Sequence, residues 1–251
     1  MDAMVEALRQ QLDALLPGLA VEAVPEIDST NTELMRRARA GRLGPVLLVA
    51  ERQTAGRGRL GRQWLGEPGS SLTFSLGLPL APPDWSGLSL AVGVAVAEAL
   101  HPAVQLKWPN DLWVQDRKLG GILIETAAPP EGGPSRFTIV GIGLNLAPRD
   151  AQGYATPPFG LRELLPHAVA GTVLQQVAAP VLQAMLGFEQ FGFAPFQARF
   201  QARDALAGRA VRLSDGTNGS AHGVDGQGAL LVHTAAGMKA VATAEVSVRP
   251  A

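Results

Sequence analysis

VQLKWPNDLWVQDRKLGGILIET, residues 104–126, decides the fold. Apolar, β-branched and aromatic residues run through VQLKW, DLWVQ and KLGGILIET, and the breaks between these runs are too short to hold a helix. Pro109 and Asn110 turn the chain between the first two runs, and Asp116-Arg117 suits the tip of a hairpin. FTIVGIGLNL, residues 137–146, supplies a further strand. Strands joined through tight turns build a sheet by hairpins, not a series of strand–helix–strand crossovers.

Working outward, PVLLVAE (45–51) reads as an apolar strand. SLTFSLGL (71–78) alternates Leu72, Phe74, Leu76 and Leu78, the period of a half-buried strand. A strand over 21–27 precedes DSTNTELMRRARAG (28–41), where Thr30 and Glu33 fit a capping box and Gly41 a C-terminal cap, predicting a helix over 31–40. Val5, Leu8, Leu12, Leu15 and Leu16 share one side of a helix over 2–16 that Pro17-Gly18 ends. The apolar segment near 86–100 reads as a buried helix. Downstream, residues 172–191 have helical periodicity, with Pro180 expected to kink or interrupt them, and another helix is predicted near 194–206. Past Gly208 the chain becomes short β-like runs separated by Gly, Asp and Asn turns, the pattern of a small β-barrel. The expected organisation is α+β, with a large domain over 1–207 and a barrel domain over 208–251.

Among the 251 residues, 47% are hydrophobic and 17% charged, which favours a compact globule over a disordered chain. The net charge of -1 provides no global field to hold a polyanion, so any anion chemistry must be local. The absence of cysteine excludes disulfides, thiolate nucleophiles and cysteine-ligated zinc. His101, His167, His222 and His233 lack metal-site or triad spacing. The longest apolar run, near 88–100, is shorter than a membrane span requires, and the first residues lack the pattern of a secretory signal. The expectation is a cytoplasmic protein with no membrane partner.

GRGRLGR, residues 56–62, concentrates Arg57, Arg59 and Arg62 among three glycines. The segment satisfies G-x-G-x-x-G and follows a strand, yet it continues into helix-breaking residues, whereas a dinucleotide fingerprint must open a helix. A nucleic-acid patch is a second reading, weakened by the small number of charges and the acidic balance. A solvated basic loop is a third. Glycine freedom combined with dense guanidinium groups fits best a loop that orders around a bound acid. Lysine is scarce: Lys107, Lys118 and Lys239 stand against 18 arginines. Two of the three lie in the opening stretch, which suggests a need for compact point charges there, although ordinary surface lysines remain an alternative. The turn at Pro109-Asn110 puts Lys107, Asn110 and Asp111 near one sheet end, and Gly120-Gly121 would let a ligand approach the following strand closely.

Ser29-Thr30-Asn31, GRGRLGR with Trp64 downstream, KWPNDL, KLGGILIE and GIGLNL occur in the order and approximate spacing of the biotin protein ligases, which this chain resembles from about residue 25 to 249. The resemblance implies a central mixed β-sheet flanked by helices, similar to class II synthetases, with a small C-terminal SH3-like barrel. It implies that biotin and ATP, with Mg2+, give biotinyl-5'-AMP, and that the acyl group passes to a lysine of biotin carboxyl carrier protein, a subunit of acetyl-CoA carboxylase and related biotin enzymes. Carried onto this sequence, Ser29, Thr30, Asn31, Gln53, Gly56, Arg57, Arg59, Lys118 and Gly121 would contact biotin. Arg59, Arg62, Trp64, Lys107, Asn110, Lys118 and Asn145 would contact the nucleotide. Lys118, Arg59 and Asp111 would carry the chemistry, Asp111 by orienting or deprotonating the acceptor lysine or, alternatively, as a structural turn carboxylate. Trp108 and Trp113 would be core or pocket walls, and metal ligands are not assigned. Repressor members of the family carry an additional N-terminal helix-turn-helix, and only a short segment precedes Ser29 here, so the expectation is no nucleic-acid partner, and a monomer or homodimer. Where the family tends to read Gly-Glu-Val-Ser, this chain has Ala244-Glu245-Val246-Ser247. Lipoate-type ligation and a biotin-sensing DNA-binding regulator are the alternatives, both disfavoured.

Overall fold

The computed structural model describes residues 2–128, 132–242 and 248–250. In chain order the large part comprises α1 (Asp2–Asp13), β1 (Ala20–Ile27), α2 (Thr30–Arg39), β2 (Val46–Gln53), β3 (Ser71–Leu80), α3 (Leu88–Leu100), β4 (Gln105–Lys107), β5 (Asp111–Val114), β6 (Arg117–Ala127), β7 (Arg136–Asn145), α4 (Ala170–Phe191) and α5 (Ala194–Gln201). Its seven strands form one sheet in the order β1-β2-β3-β7-β6-β5-β4. Only β1 and β2 pair in parallel; the other neighbours are antiparallel, so the sheet is mixed. The opening stretch forms β4, β5 and the start of β6 as successive hairpins. The second hairpin turns at Gln115 and Asp116, whose φ angles are 52° and 59°, with Arg117 already in β6. The tip therefore lies one residue earlier than the sequence pattern suggests.

Strand alternation sorts the apolar residues onto two sides of the sheet. Leu72, Phe74, Leu76 and Leu78 of β3 join Val140, Ile142 and Leu144 of β7 in the larger core, together with residues of α1, α3, α4 and α5. On the opposite face Leu48, Phe137 and Ile139 pack with Leu34 and Ala38 of α2 in a second, smaller core. β3 is thus buried on both faces, not half-buried as its alternation predicts, because α2 covers Ser75 and the chain at Gly66 and Glu67 covers Ser71. The helix α3 is apolar nearly all round and correspondingly buried nearly all round, as a helix packed from several sides must be.

Three further local expectations change. Ser29, not Thr30, caps α2: its side chain accepts from the Thr32 amide, while Glu33 turns away to Arg36 and Arg37. Of the kink or interruption expected at Pro180, the interruption does not occur, since the residue lies inside the continuous helix α4. The helix after residue 193 stops at Gln201, and residues 203–206 form turns, with Leu106 bridging to Asp204.

The remaining strands, β8 (Ala210–Leu213), β9 (Asn218–Val224), β10 (Leu230–Thr234), β11 (Gly237–Val241) and β12 (Val248–Pro250), form a separate antiparallel sheet in the order β11-β10-β9-β8-β12. Val211, Leu213, Ala221, Val224, Leu230 and Val232 of this sheet belong to the larger core of the main body. Trp108 is fully buried and donates through Nε1 to the Gly228 carbonyl at 3.0 Å. Gly228 has φ of 83°, and a Cβ there would lie 2.9 Å from Gly87 Cα, so glycine is required both for the turn and for contact with the start of α3. The departure at Ala244-Glu245-Val246-Ser247 lies outside the described residues.

Candidate functional site

The sheet face under α2 turns from apolar to polar and bare along its length. Register places Thr73 opposite Gly143, Ser75 opposite Gly141, and these two glycines opposite Gly121 and Leu123. Three glycines thus lie on adjacent rungs of β6 and β7, leaving the backbone as the floor of a cavity. Each answers a different demand. A Cβ at Gly141 would come within 2.1 Å of Asn31 Oδ1, and one at Gly143 within 2.4 Å of the Trp64 ring. At Gly121 a Cβ would stand among Lys118 and Asp111 side-chain atoms at 3.4–3.5 Å. Close approach of a helix start and of an indole keeps Gly141 and Gly143 free of side chains, whereas at Gly121 the contacts are of ordinary length.

The first turn of α2 forms one wall. Ser29, Thr30 and Asn31 are buried, and a buried polar side chain must find partners. Gln53 Oε1 accepts from the Thr30 amide at 2.8 Å and from Thr30 Oγ1 at 3.1 Å, which directs the Gln53 amide donors away from α2. Ser75, with no exposed surface, has its Oγ 2.7 Å from both Thr30 Oγ1 and Asn31 Oδ1. Asn31 Nδ2 donates to Glu125 Oε2 at 2.9 Å and, more weakly, to the Leu123 carbonyl at 3.3 Å.

The arginine segment folds over this cavity as a hairpin. Arg57 bridges Gln63, the Gly58 amide donates to the Arg62 carbonyl at 2.7 Å and the Trp64 amide to the Gly56 carbonyl at 2.9 Å. A short 3-10 turn, Arg59–Gly61, forms the tip. Gly56 admits no side chain, because a Cβ would lie 2.4 Å from the Trp64 carbonyl oxygen. Arg57 pairs with Glu125, Nη2 to Oε1 at 3.0 Å. Arg59 reaches across the cavity, donating to Asn110 Oδ1 at 3.3 Å, and burial pulls its guanidinium below its ordinary range against the opposing pull of Asp111. The arginine segment is thus hydrogen-bonded along its length and roofs the cavity.

At the far end stand the lysines. Lys118 Nζ donates to Asp111 Oδ1 at 2.6 Å, and Lys107 Nζ lies 4.0 Å from Asp111 Oδ2 and 5.2 Å from the Trp113 ring centre. The backbone beneath Lys118 is fixed from several directions. Its amide donates to the Pro157 carbonyl, and its carbonyl accepts from the Phe159 amide and from Asn145 Nδ2, at 2.8, 2.8 and 3.1 Å. Neighbouring Arg117 clamps the same segment through the Pro158 carbonyl and Glu163. Asn110 Nδ2 donates to the Ile122 carbonyl at 2.9 Å, which leaves its Oδ1 facing Arg59.

Ser29, Thr30, Asn31, Gln53, Arg57, Arg59, Arg62, Trp64, Lys107, Asn110, Asp111, Lys118 and Gly121 all line one cavity. Gly56 and Asn145 do not: Gly56 closes the hairpin base, and Asn145 is buried under Lys118. Sequence reasoning missed Ser75, Glu125, Gly141 and Gly143. A signal for Ser75 existed in SLTFSLGL, where Ser71, Thr73 and Ser75 form a polar face opposite the leucines. Glu125 offered none, since its partners lie 94 and 68 residues away in the chain.

Family models match at two places: Biotin/lipoate A/B protein ligase family over residues 23–145, and Biotin protein ligase C terminal domain over 207–249. The biotin–[acetyl-CoA-carboxylase] ligase of Paracoccus denitrificans is 35% identical over 239 residues, 87% of this chain and 96% of its own length. The chain belongs to the biotin protein ligase family. The ligase is also 35% identical to the bifunctional ligase/repressor BirA of Escherichia coli, over 96% of this chain and 78% of that protein. Its fold matches the biotin protein ligase of Aquifex aeolicus in complex with biotin and ATP, with a TM-score of 0.78 and 30% identity, covering 92% of this chain and 99% of that one. The expected ligase class, with biotin and ATP among its ligands, agrees with these relatives, as does the mixed sheet flanked by helices. No helix among the described residues is long and apolar enough to cross a membrane.

Proposed function

We propose that this ligase condenses biotin with ATP to biotinyl-5'-AMP and pyrophosphate, then transfers the biotinyl group to a lysine of biotin carboxyl carrier protein, the reaction of EC 6.3.4.15. The observation that carries the reading is the cavity itself, with a neutral hydrogen-bonding end at Ser29, Thr30 and Gln53 and a cationic end at Lys118, Lys107, Arg59 and Arg62. A ureido ring offers donors and an acceptor to the first end, and a carboxylate meeting a triphosphate needs the second. A dithiolane ring has no such groups, and this favours biotin over lipoate.

In the first step a biotin carboxylate oxygen attacks the α-phosphorus, the bond to the β-phosphate oxygen breaks, and pyrophosphate departs with the electron pair. Two anions at about 4 Å repel by roughly 4 kcal/mol at an effective dielectric of 20. Lys118 stands where it would touch both, with Arg59 above, so that fixed cations offset the repulsion and orient the reactants. Arg62, Lys107 and Asn110 are assigned to phosphates and nucleotide, Trp64 to the adenine ring, and Asn145 to holding the Lys118 backbone. In the second step the acceptor amine attacks the acyl carbon and AMP leaves. Asp111 is assigned to receive the amine proton, and because Lys118 holds its Oδ1 at 2.6 Å, the oxygen turned to the amine is Oδ2, 4.0 Å from Lys107.

Mg2+ is assigned to the nucleotide substrate. Among the described residues no group of three or more His, Asp or Glu side chains could hold an ion, and Mg2+ commonly binds through substrate phosphates with one or two carboxylates. The domain boundary is placed at residues 207 and 208, where Gly208, at φ of 72°, turns the chain into β8. Acid-dependent exchange of pyrophosphate into ATP, compared for biotin and lipoate, tests the first step. Transfer of labelled biotin to a carrier domain tests the second. Exchange driven by lipoate and not by biotin overturns the reading.

A further inference from the structure

The sheet supports the Lys118 backbone on one side only. β6 pairs with β7 from Gly120 onward, and between β5 and β6 the register shifts at Leu119, a β-bulge next to Lys118. On the side that β7 does not reach, residues 157–159 take its place as a short strap. The Lys118 amide donates to the Pro157 carbonyl and the Phe159 amide to the Lys118 carbonyl, each at 2.8 Å, so Lys118 and Pro158 pair as in a parallel strand. Arg117 holds this strap with its whole guanidinium. Nε and Nη2 donate to the Pro158 carbonyl at 3.0 and 2.7 Å, Nη1 and Nη2 meet the two oxygens of Glu163 at 2.6 and 3.0 Å, and Cζ lies 4.9 Å from the centre of the Phe159 ring. Glu163 Oε1 also accepts from the Gly160 amide at 2.8 Å, which fixes the short turn Leu161–Glu163 at the end of the strap. Gly160 itself crosses the exit of β7, where a Cβ would lie 2.4 Å from the Ala147 carbonyl carbon.

We propose that Arg117 and Glu163 are positioning residues for the adenylation step. Through the strap they set the backbone from which Lys118 projects, and so the point at which its ammonium meets carboxylate and α-phosphate. A bulge re-aims the side chains beside it, and a bulged strand end bordered by a neighbour on one side needs a second constraint on that aim. The strap supplies it. Pro157 and Pro158 carry no amide, so of these three residues only Phe159 can donate to the sheet, and the carbonyls must do the rest. The Pro157 carbonyl goes to Lys118 and the Pro158 carbonyl to Arg117. A planar fork suits this task where an ammonium would not, because donors fixed in one plane satisfy a carbonyl and a carboxylate at once. The positioning role rests on the function proposed above; the hold of the fork on the strap does not.

The test uses the full chain. Glu163→Gln keeps an acceptor for the Gly160 amide but removes the charge and one arm of the fork, and Arg117→Lys replaces the fork with a point charge. The two side chains are 31% and 27% exposed, Arg117 first. Backbone amide exchange, followed by NMR without substrates, should accelerate roughly fivefold at Lys118 and Phe159 in either variant, the scale of a partly exposed pair. It should stay unchanged at Ile142, which is paired on both sides in mid-sheet. In turnover, kcat for pyrophosphate release should fall by about ten- to a hundredfold, the range for a reacting group displaced by up to about 1 Å. The biotin KM should stay within about twofold of wild type. Added to Lys118→Met, Glu163→Gln should cause no further loss, because it acts through the group already removed. Unchanged exchange at Lys118 and Phe159 overturns the hold of the fork on the strap. Losses that multiply with Lys118→Met, or a biotin KM that rises as far as kcat falls, overturn the positioning role. Should no form of the protein adenylate biotin, the proposed function falls while the exchange result still decides whether the fork holds the strap.

Discussion

Replacing Lys118 with methionine tests the electrostatic core of the mechanism at the least cost to packing. The side chain is 29% exposed and its ammonium is paired with Asp111 at 2.6 Å, while Lys107 holds the other oxygen of Asp111 at 4.0 Å. Asp111 therefore keeps a cation when Lys118 is removed, and the loss in folding stability should be about 1 kcal/mol or less, as for a partly exposed pair. Catalysis should suffer far more. Next to a carboxylate and an α-phosphate, an ammonium at about 4 Å gains roughly 4 kcal/mol from each at a dielectric of 20, and gives up one comparable interaction by leaving Asp111. The net is about one such interaction, and 4 kcal/mol corresponds to roughly a thousandfold in rate. Solvent at the cavity mouth reduces this, so pyrophosphate release at saturating biotin and MgATP should fall by about a hundred- to a thousandfold. Lys118→Arg should not restore it, because a planar fork cannot occupy a point between two oxygens of different groups. Pyrophosphate release within about tenfold of wild type, from a protein whose urea midpoint is unchanged, would refute the assignment.

Three other expectations follow from the same geometry. Arg59→Ala removes the side chain that spans the cavity to Asn110, so the intermediate should escape, and a filtration assay should find free biotinyl-5'-AMP where wild type retains it. Gly141→Ala forces a Cβ to 2.1 Å from Asn31 Oδ1; the Asn31 side chain must leave its bonds to Ser75 and Glu125, lowering stability in urea by about 1–3 kcal/mol and weakening biotin binding measured calorimetrically. Asp204 is buried, and desolvation pushes its carboxyl above the ordinary 3.8 although the Leu206 amide opposes this. The folded state then binds the extra proton, so this residue costs nothing below its ordinary value and subtracts stability as pH rises through the raised one. Asp204→Asn, keeping the acceptor for Leu206, should raise Tm at neutral pH, with the gain vanishing near about pH 3.

What the amino-acid sequence disclosed was local, and what it withheld was set by register. The hairpins of residues 104–126 were legible because Pro109-Asn110 and the short Gln115-Asp116 link leave no other way to connect apolar runs. Arg57, Arg59, Lys107 and Lys118 were legible because they sit in two compact clusters of unusual composition. Ser75 and Glu125 acquire their meaning only when β3, β7 and β6 align, so that a serine, two glycines and a glutamate fall on neighbouring rungs under α2. Pro180 does not interrupt α4 for a related reason. An internal proline costs a helix about 3 kcal/mol, but Val177, Ala178, Val181 and Leu182 around it are all fully buried. Burial of such side chains, at about 1.5–3 kcal/mol for each large one, outweighs the missing hydrogen bond. Local propensity yielded to packing that becomes visible only in three dimensions.

The pairing of the cationic groups explains how so many like charges can line one cavity. Five cations and one carboxylate line it in a chain whose net charge is -1, and like charges gathered in a half-shielded space repel one another. Internal partners offset much of that cost. Asp111 lies between Lys118 and Lys107, Glu125 holds Arg57, and Asn110 accepts from Arg59. Anion binding at the lysine end is then an exchange of partners and not the filling of a bare positive field. Exchange lowers affinity for any single anion, since each must displace a carboxylate already in place. It favours a ligand pair that brings two anions together, because both are met by the same released ammonium.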